Sequence, residues 1–289
     1  MSVVTVGKSI DESAALWRYI SLEAFIDLLD TESLFFSPVA YYDKTDPFEG
    51  LLPEVALKAF AGVNDKYLSQ MKHNKEKIVR MVEAKYGDMS VEKQRILDAM
   101  DDSIEDFKFS LRRNFPAIAK SVTVSCWHRG EHESEAMWRL YSKNGIAIKS
   151  SVNSIKRSFE NNGQDHSIHV APVKYIDFYD KDLTPADCVI DGYTMPFIKR
   201  ASFAHENEIR FCITANLDVR NPEKHVPSPI KVKTNLNFLI EKIYISPFSV
   251  EPFISSVYAV CKKYNIREEV ILRSNLLNGH DDLLNALLL

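Results

Sequence analysis

The run Phe203-Ala-His-Glu-Asn-Glu-Ile-Arg-Phe211 carries the residue types most able to do chemistry in this chain. Alternate side chains of a strand share a face. Read as a strand, Glu206, Glu208 and Arg210 line one face, while Ile209, Phe211 and Ile213 line the other. Two carboxylates with a guanidinium suit acid–base work at a sugar, where a carboxylate gains strength as positive charge develops on the ring. The same alternation also describes a half-exposed strand whose Glu–Arg pair is a surface ion pair of little energetic weight.

Other constellations compete with it. Asp43, Asp46 and Glu49 put three carboxylates in one loop, enough to suggest a Mg²⁺- or Ca²⁺-dependent hydrolase or nuclease. Their spacing is not that of a calcium loop, and Asp46-Pro47 reads better as a turn in which Asp46 caps backbone amides. Cys126, His128 and His132 lie close in sequence, yet no second paired cluster supplies the further ligands of a zinc site. No metal is expected on these grounds. No G-x-G-x-x-G or G-x-x-x-x-G-K run occurs among only 9 glycines, which excludes the common nucleotide-binding loops.

A chain of 289 residues, 45% hydrophobic and 26% charged, can bury a large core as one globular domain. Its net charge of −4 gives no footprint for non-specific nucleic-acid binding. The N-terminal residues lack the apolar core of a signal peptide, and no apolar run is long enough to span a bilayer. The 4 cysteines are scattered and never form C-x-x-C, as in reduced proteins. A cytoplasmic protein without membrane attachment is expected.

Three regions must position these groups. Leu16–Ile20 reads as a strand, Ser21 caps a helix with Leu22, Phe25, Ile26 and Leu29 on one stripe, and Leu34–Pro38 returns as a strand before the acidic loop. Residues 51–115 read as a helical insertion. Tyr67, Leu68, Met71, Ile78, Met81 and Val82 keep helical spacing, as do Ile96, Leu97, Met100, Ile104 and Phe107, with Ser90 as a cap. A hairpin of this kind serves as a lid, a homo-oligomerisation arm or a partner surface. From Val122 onward, strands (Val122–Trp127, Gly145–Ile148, Ile168–Ile176, Glu208–Ile213, Ile243–Ser246, Val270–Leu272) alternate irregularly with short helices. That irregularity predicts a single α+β domain over 1–289 rather than repeated βαβ units.

Trp17-Arg-Tyr-Ile-Ser21, Thr45-Asp-Pro-Phe-Glu-Gly50, Met137-Trp-x-x-Tyr141 and Glu206-x-Glu208-x-Arg210 occur in that order. Together they resemble a widespread bacterial domain-of-unknown-function family with a K/R-Y start, an N-D-P-F-E loop, an M-W-x-x-Y helix and a late E-x-E-x-R strand. Thr45 stands where that loop usually carries Asn. The family is distantly similar to ADP-ribosyltransferases, whose core is a split sheet with a basic or His residue on the first strand and a Glu on a late one. The resemblance implies NAD as substrate, with ADP-ribosyl transfer to an unidentified protein or nucleic acid, or NAD hydrolysis, in bacterial defence. It implies Glu208 on the ribose 2′-hydroxyl and Glu206 orienting an acceptor or taking its proton. It implies Arg18 on the phosphates, Tyr19, Trp138 and Tyr141 as stacking walls, Ser125 on the nicotinamide ribose, and Arg210 within the binding set. The competing reading is a non-catalytic binding module that engages a partner through the helical hairpin.

Overall fold

The computed structural model describes residues 2–86, 91–215, 221 and 224–278; the cap expected at Ser90 lies outside them. The chain opens with β1 (Val3–Val6), β2 (Ala15–Ile20), α1 (Leu22–Thr31) and β3 (Ser33–Pro38). Ser21 starts α1 as expected, its hydroxyl accepting from the Ala24 amide at 3.4 Å. Two long helices follow, α2 (Glu54–Tyr86) and α3 (Val91–Ser121). The helical insertion therefore reaches Ser121, beyond the expected end at 115, and α3 runs directly into β4 (Val122–Arg129).

The remaining elements are α4 (Glu135–Tyr141), β5 (Ile146–Ser151), α5 (Val152–Ser158), β6 (Ser167–Pro172) and β7 (Lys174–Ile176). After them come β8 (Ile198–Arg200), β9 (Glu208–Thr214), β10 (Ile230–Lys233), α6 (Leu236–Leu239), β11 (Lys242–Ile245), α7 (Phe253–Lys263) and β12 (Ile271–Arg273). The segment 168–176, expected as one strand, is two. Pro172 ends the β6 ladder because it carries no amide donor, and β7 leaves to pair with β8 in a separate two-stranded ribbon.

The main sheet runs β1-β6-β9-β4-β2-β5-β11-β12, parallel at its two outer pairs and antiparallel between. It is a mixed sheet in an α+β protein. It divides at β4. One edge of β4 pairs with β9 from Val122 to His128. The other edge pairs with β3 at Thr123 and Val124, and with β2 at His128 and Arg129. Between those contacts β2 and β3 diverge, leaving a gap beside Ser125–Trp127.

One face of the sheet holds the main core. Leu16, Trp127, Ile146, Ile148, Ile209 and Phe211 pack against Phe25 and Leu28 of α1, Ile155 of α5, Leu239 of α6 and Val257 of α7. Burying a side chain such as Phe211 contributes about 1.5–3 kcal/mol. That anchoring fixes β9, and so fixes what its opposite face presents. On that opposite face α4 closes one end through Met137 and Trp138, which pack on Trp17 and Tyr19. The base of the hairpin closes the other end, with Leu52 and Ala56 buried against Ile176, Cys188 and Ile198.

Candidate active site

The cross-strand register writes the site onto this second face. Glu208 of β9 stands opposite His128 of β4, and His128 stands opposite Trp17 of β2. Arg210 stands opposite Cys126. Ile209, Phe211 and Ile213 point into the core as the alternation predicts. Glu206 departs from it, because it ends a 3₁₀ turn (Ala201–Glu206) instead of lying on the strand. Asn207 then takes a left-handed conformation, φ 41°, a region that Asn tolerates better than most residues. Its side-chain amide donates to the Arg129 carbonyl at 2.6 Å, which pins the kink. The kink brings the Glu206 carboxyl back beside that of Glu208.

The Glu208–Arg210 pair is buried, at 9% and 1% exposure, so it is not a surface ion pair. Arg210 donates through Nε to Glu208 at 2.5 Å, through Nη1 to Glu49 at 2.6 Å and to the Pro196 carbonyl at 2.6 Å, and through Nη2 to Glu49 at 3.2 Å. Lys199, on β8, reaches Glu208 at 3.2 Å and Glu49 at 3.4 Å, and donates to Glu206. The Tyr141 hydroxyl donates to Glu206 at 2.5 Å. The Glu208 amide donates to the Tyr175 hydroxyl at 2.9 Å, and the His128 Nδ1 sits 2.7 Å from the Glu206 carbonyl.

Three carboxyls and two cations thus share one enclosed volume, and their charges balance when one carboxyl keeps its proton. Burial, the hydrogen bond with Glu208 and the Glu208 charge push Glu206 up to about 7. Burial opposes ionisation of Glu208 as well, but the Arg210 charge, the bond from Glu206 and the Lys199 charge overcome it and hold Glu208 well below the usual carboxylate range. Two adjacent carboxyls driven apart in this way divide into a fixed anion and a proton carrier. Burial also raises the Tyr141 hydroxyl, reinforced by its bond to Glu206, so it stays a donor.

Arg18 has a different environment. It rises from β2 into the gap between β2 and β3, donates to Ser125 Oγ, and reaches the Phe35 carbonyl at 3.3 Å. Its guanidinium lies 5.7 Å from the Trp127 ring centroid. Among the described residues no carboxylate pairs with it. Burial pushes its pKa down. A buried cation held by neutral acceptors keeps most of its affinity for an anion.

These groups line one cavity of about 400 Å³, within the range that holds small ligands. Of the sequence-predicted site residues, Arg18, Tyr19, Tyr141, Glu206, Glu208 and Arg210 all line it. Ser125 and Trp138 do not. Ser125 is fully buried and accepts from Arg18 and the Trp127 indole, so it holds the arginine and presents no hydroxyl to a ligand. Trp138 is fully buried, donates to Glu133 at 2.7 Å and meets Tyr19 edge-on, so it supports the wall from behind.

The acidic loop does not gather its three carboxylates for a metal. Asp46 bonds Arg200 at 2.5 Å and caps the Phe48 amide at 3.1 Å, Glu49 serves Arg210, and Asp43 is exposed. Asp46 Oδ2 is buried without a donor among the described residues, in a side chain that lines the cavity. Lys199 and Tyr175 carry no signal in the sequence, and His128 stands out there only beside Cys126 and His132. Lys199 sits in an Ile-Lys-Arg strand of three residues, too short for a periodicity to mark it.

No protein-family model, no curated protein and no solved structure matches this chain. Among the described residues no helix is long and apolar enough to cross a membrane.

Proposed function

We propose that this protein cleaves the nicotinamide–ribose bond of NAD and passes the ADP-ribosyl group to a macromolecular acceptor or to water. The observation that carries the reading is the pairing, in one cavity, of an ionised Glu208, a proton-carrying Glu206 and an Arg18 with no carboxylate partner. A split sheet with a basic residue on an early strand and a glutamate on a late one also fits the resemblance to ADP-ribosyltransferases.

The chemistry follows from charge. As the C1′–N bond breaks, nicotinamide leaves neutral with the bonding electron pair and the sugar takes the positive charge. Glu208, held anionic by Arg210 and Lys199, accepts the ribose 2′-hydroxyl and strengthens that contact as the sugar becomes cationic. The attacking hydroxyl of acceptor or water bonds to C1′ and loses its proton to the ionised form of Glu206, which a pKa of about 7 keeps in exchange with the protonated form at neutral pH. Arg18 offers the donors for a phosphate. Asp46 Oδ2 offers an unused acceptor for a sugar hydroxyl.

The test is release of nicotinamide from NAD by purified protein. Glu208→Gln keeps shape and hydrogen-bonding capacity but removes the charge, and turnover should fall roughly 10²–10³-fold. Turnover unchanged in that variant, with the wild type active, overturns the assignment of Glu208. Absence of any NAD turnover or NAD-dependent thermal shift in the wild type overturns the function.

A further inference from the structure

The surroundings of Glu206 bear on what its second substrate is. Glu206 is only 6% exposed. Its Oε1 accepts from the Tyr141 hydroxyl at 2.5 Å, its Oε2 accepts from Lys199, and Glu208 shares a hydrogen bond with it. Of these neighbours Lys199 and Glu208 are 7% and 9% exposed, and the Phe203 ring covers the Lys199 ammonium with its centroid 4.7 Å away. Tyr141 is 54% exposed. Among the described side chains bonded to this carboxyl, Tyr141 is the one that faces solvent.

Tyr141 is held in that place by its helix. It ends α4, whose previous turn buries Met137 and Trp138 against Trp17 and Tyr19. Positions four apart share a side of a helix, so the packing that seats Met137 also turns Tyr141 toward the cavity, which both residues line. The ring stands outside and the hydroxyl reaches in, a roof over the proton acceptor.

The cavity itself takes the dinucleotide, so an attacking group reaches Glu206 past this roof. A macromolecular hydroxyl or guanidinium carries a chain behind its attacking atom, and that chain would need the space of the Tyr141 ring. Water carries none. Resting on the NAD-cleavage reading, we propose that the second substrate is water, and that Tyr141 is the specificity-determining residue that excludes larger nucleophiles. The C1′–N bond breaks with its electron pair going to nicotinamide, which leaves neutral. The water oxygen bonds to C1′, and the water proton passes to ionised Glu206 and then to solvent. The products are ADP-ribose, nicotinamide and a proton.

The experiment is NAD turnover by the full-length protein with propanol, poly-arginine or single-stranded DNA added as a competing nucleophile. Nicotinamide, free ADP-ribose, propyl ADP-ribose and label on the polymers are quantified. Wild type should yield free ADP-ribose equal to nicotinamide in every mixture. Tyr141→Ala removes the roof, and the propyl share of its products should rise at least about tenfold. Tyr141→Phe keeps the ring and should stay with water. Circular dichroism matching wild type separates opening of the roof from loss of folding, and the wild-type product ratio decides the case if the alanine variant does not fold. Propyl or polymer adducts rivalling free ADP-ribose in the wild type overturn water as the second substrate, while NAD cleavage stands. An unchanged propyl share in folded Tyr141→Ala overturns the role of Tyr141. No nicotinamide release by the wild type overturns the reading beneath both.

Discussion

Replacing Glu206 by Gln should make the protein less sensitive to alkali, and no less stable there. Folding raises the Glu206 pKa from its ordinary 4.5 to about 7, so the folded state binds a proton that the unfolded state releases. A raised pKa contributes stability that is fully present below 4.5 and is lost as pH rises through 7. Between pH 5 and pH 8 that loss comes to about 2.5 kcal/mol for a shift of this size. An unfolding entropy of about 2.1 cal/mol/K per residue over 289 residues gives roughly 0.6 kcal/mol per kelvin. The carboxyl should therefore lower the wild-type Tm by about 4 °C across that interval, beyond the background set by other groups. Gln carries no charge at either pH and lacks this contribution. Glu208 does not blur the comparison, because its depressed pKa withdraws stability only in acid, below the ordinary carboxylate range. Differential scanning fluorimetry of both proteins at the two pH values is the assay. The wild type and Glu206→Gln should diverge by about 4 °C, the variant being at least as stable at pH 8. Parallel pH profiles would refute the idea that Glu206 holds the shared proton of the cluster.

Other perturbations separate structural from functional roles. Arg18→Met should leave Tm unchanged or higher, because it removes a buried charge that has no carboxylate partner, while abolishing the thermal shift produced by NAD. Glu49→Gln strips Arg210 of its two-point partner; the cost of about 3–5 kcal/mol should appear as a Tm lower by roughly 5–8 °C in calorimetry. Trp138→Phe loses the indole bond to Glu133 and should cost about 1–3 kcal/mol in urea unfolding, with nicotinamide release by the surviving folded protein unaltered.

Much of the frame is legible in the residues. The alternation of Ile209, Phe211 and Ile213 identifies β9, and the Ser21 cap starts α1 where expected. Burial of the polar side of β9 is not legible, because a strand that is polar on one face looks alike whether water or other elements cover that face. What covers it is β8 with Lys199 and the Glu49 loop, brought by tertiary packing from 9 and 161 positions away. The Asn207 kink was equally hidden, since Glu206 and Glu208 have the same spacing with or without a left-handed residue between them. Ser125 and Trp138 do not line the cavity, for a related reason. Their neighbours in the motifs do line the cavity, but the strand pleat and the helix turn send these two the other way. The edge strands β1 and β10 are not among the expected strands.

The Arg18 guanidinium in the sheet gap also bears on how this protein would respond to selection. A library sorted only for heat resistance should enrich replacements at position 18 early, and neutral replacements at position 206 when sorted above pH 7. Both positions hold charge that the resting fold would shed. A library sorted for turnover should keep both. The positions where the two sorts disagree would outline the cavity without any ligand-bound structure, and Arg18 should head that set.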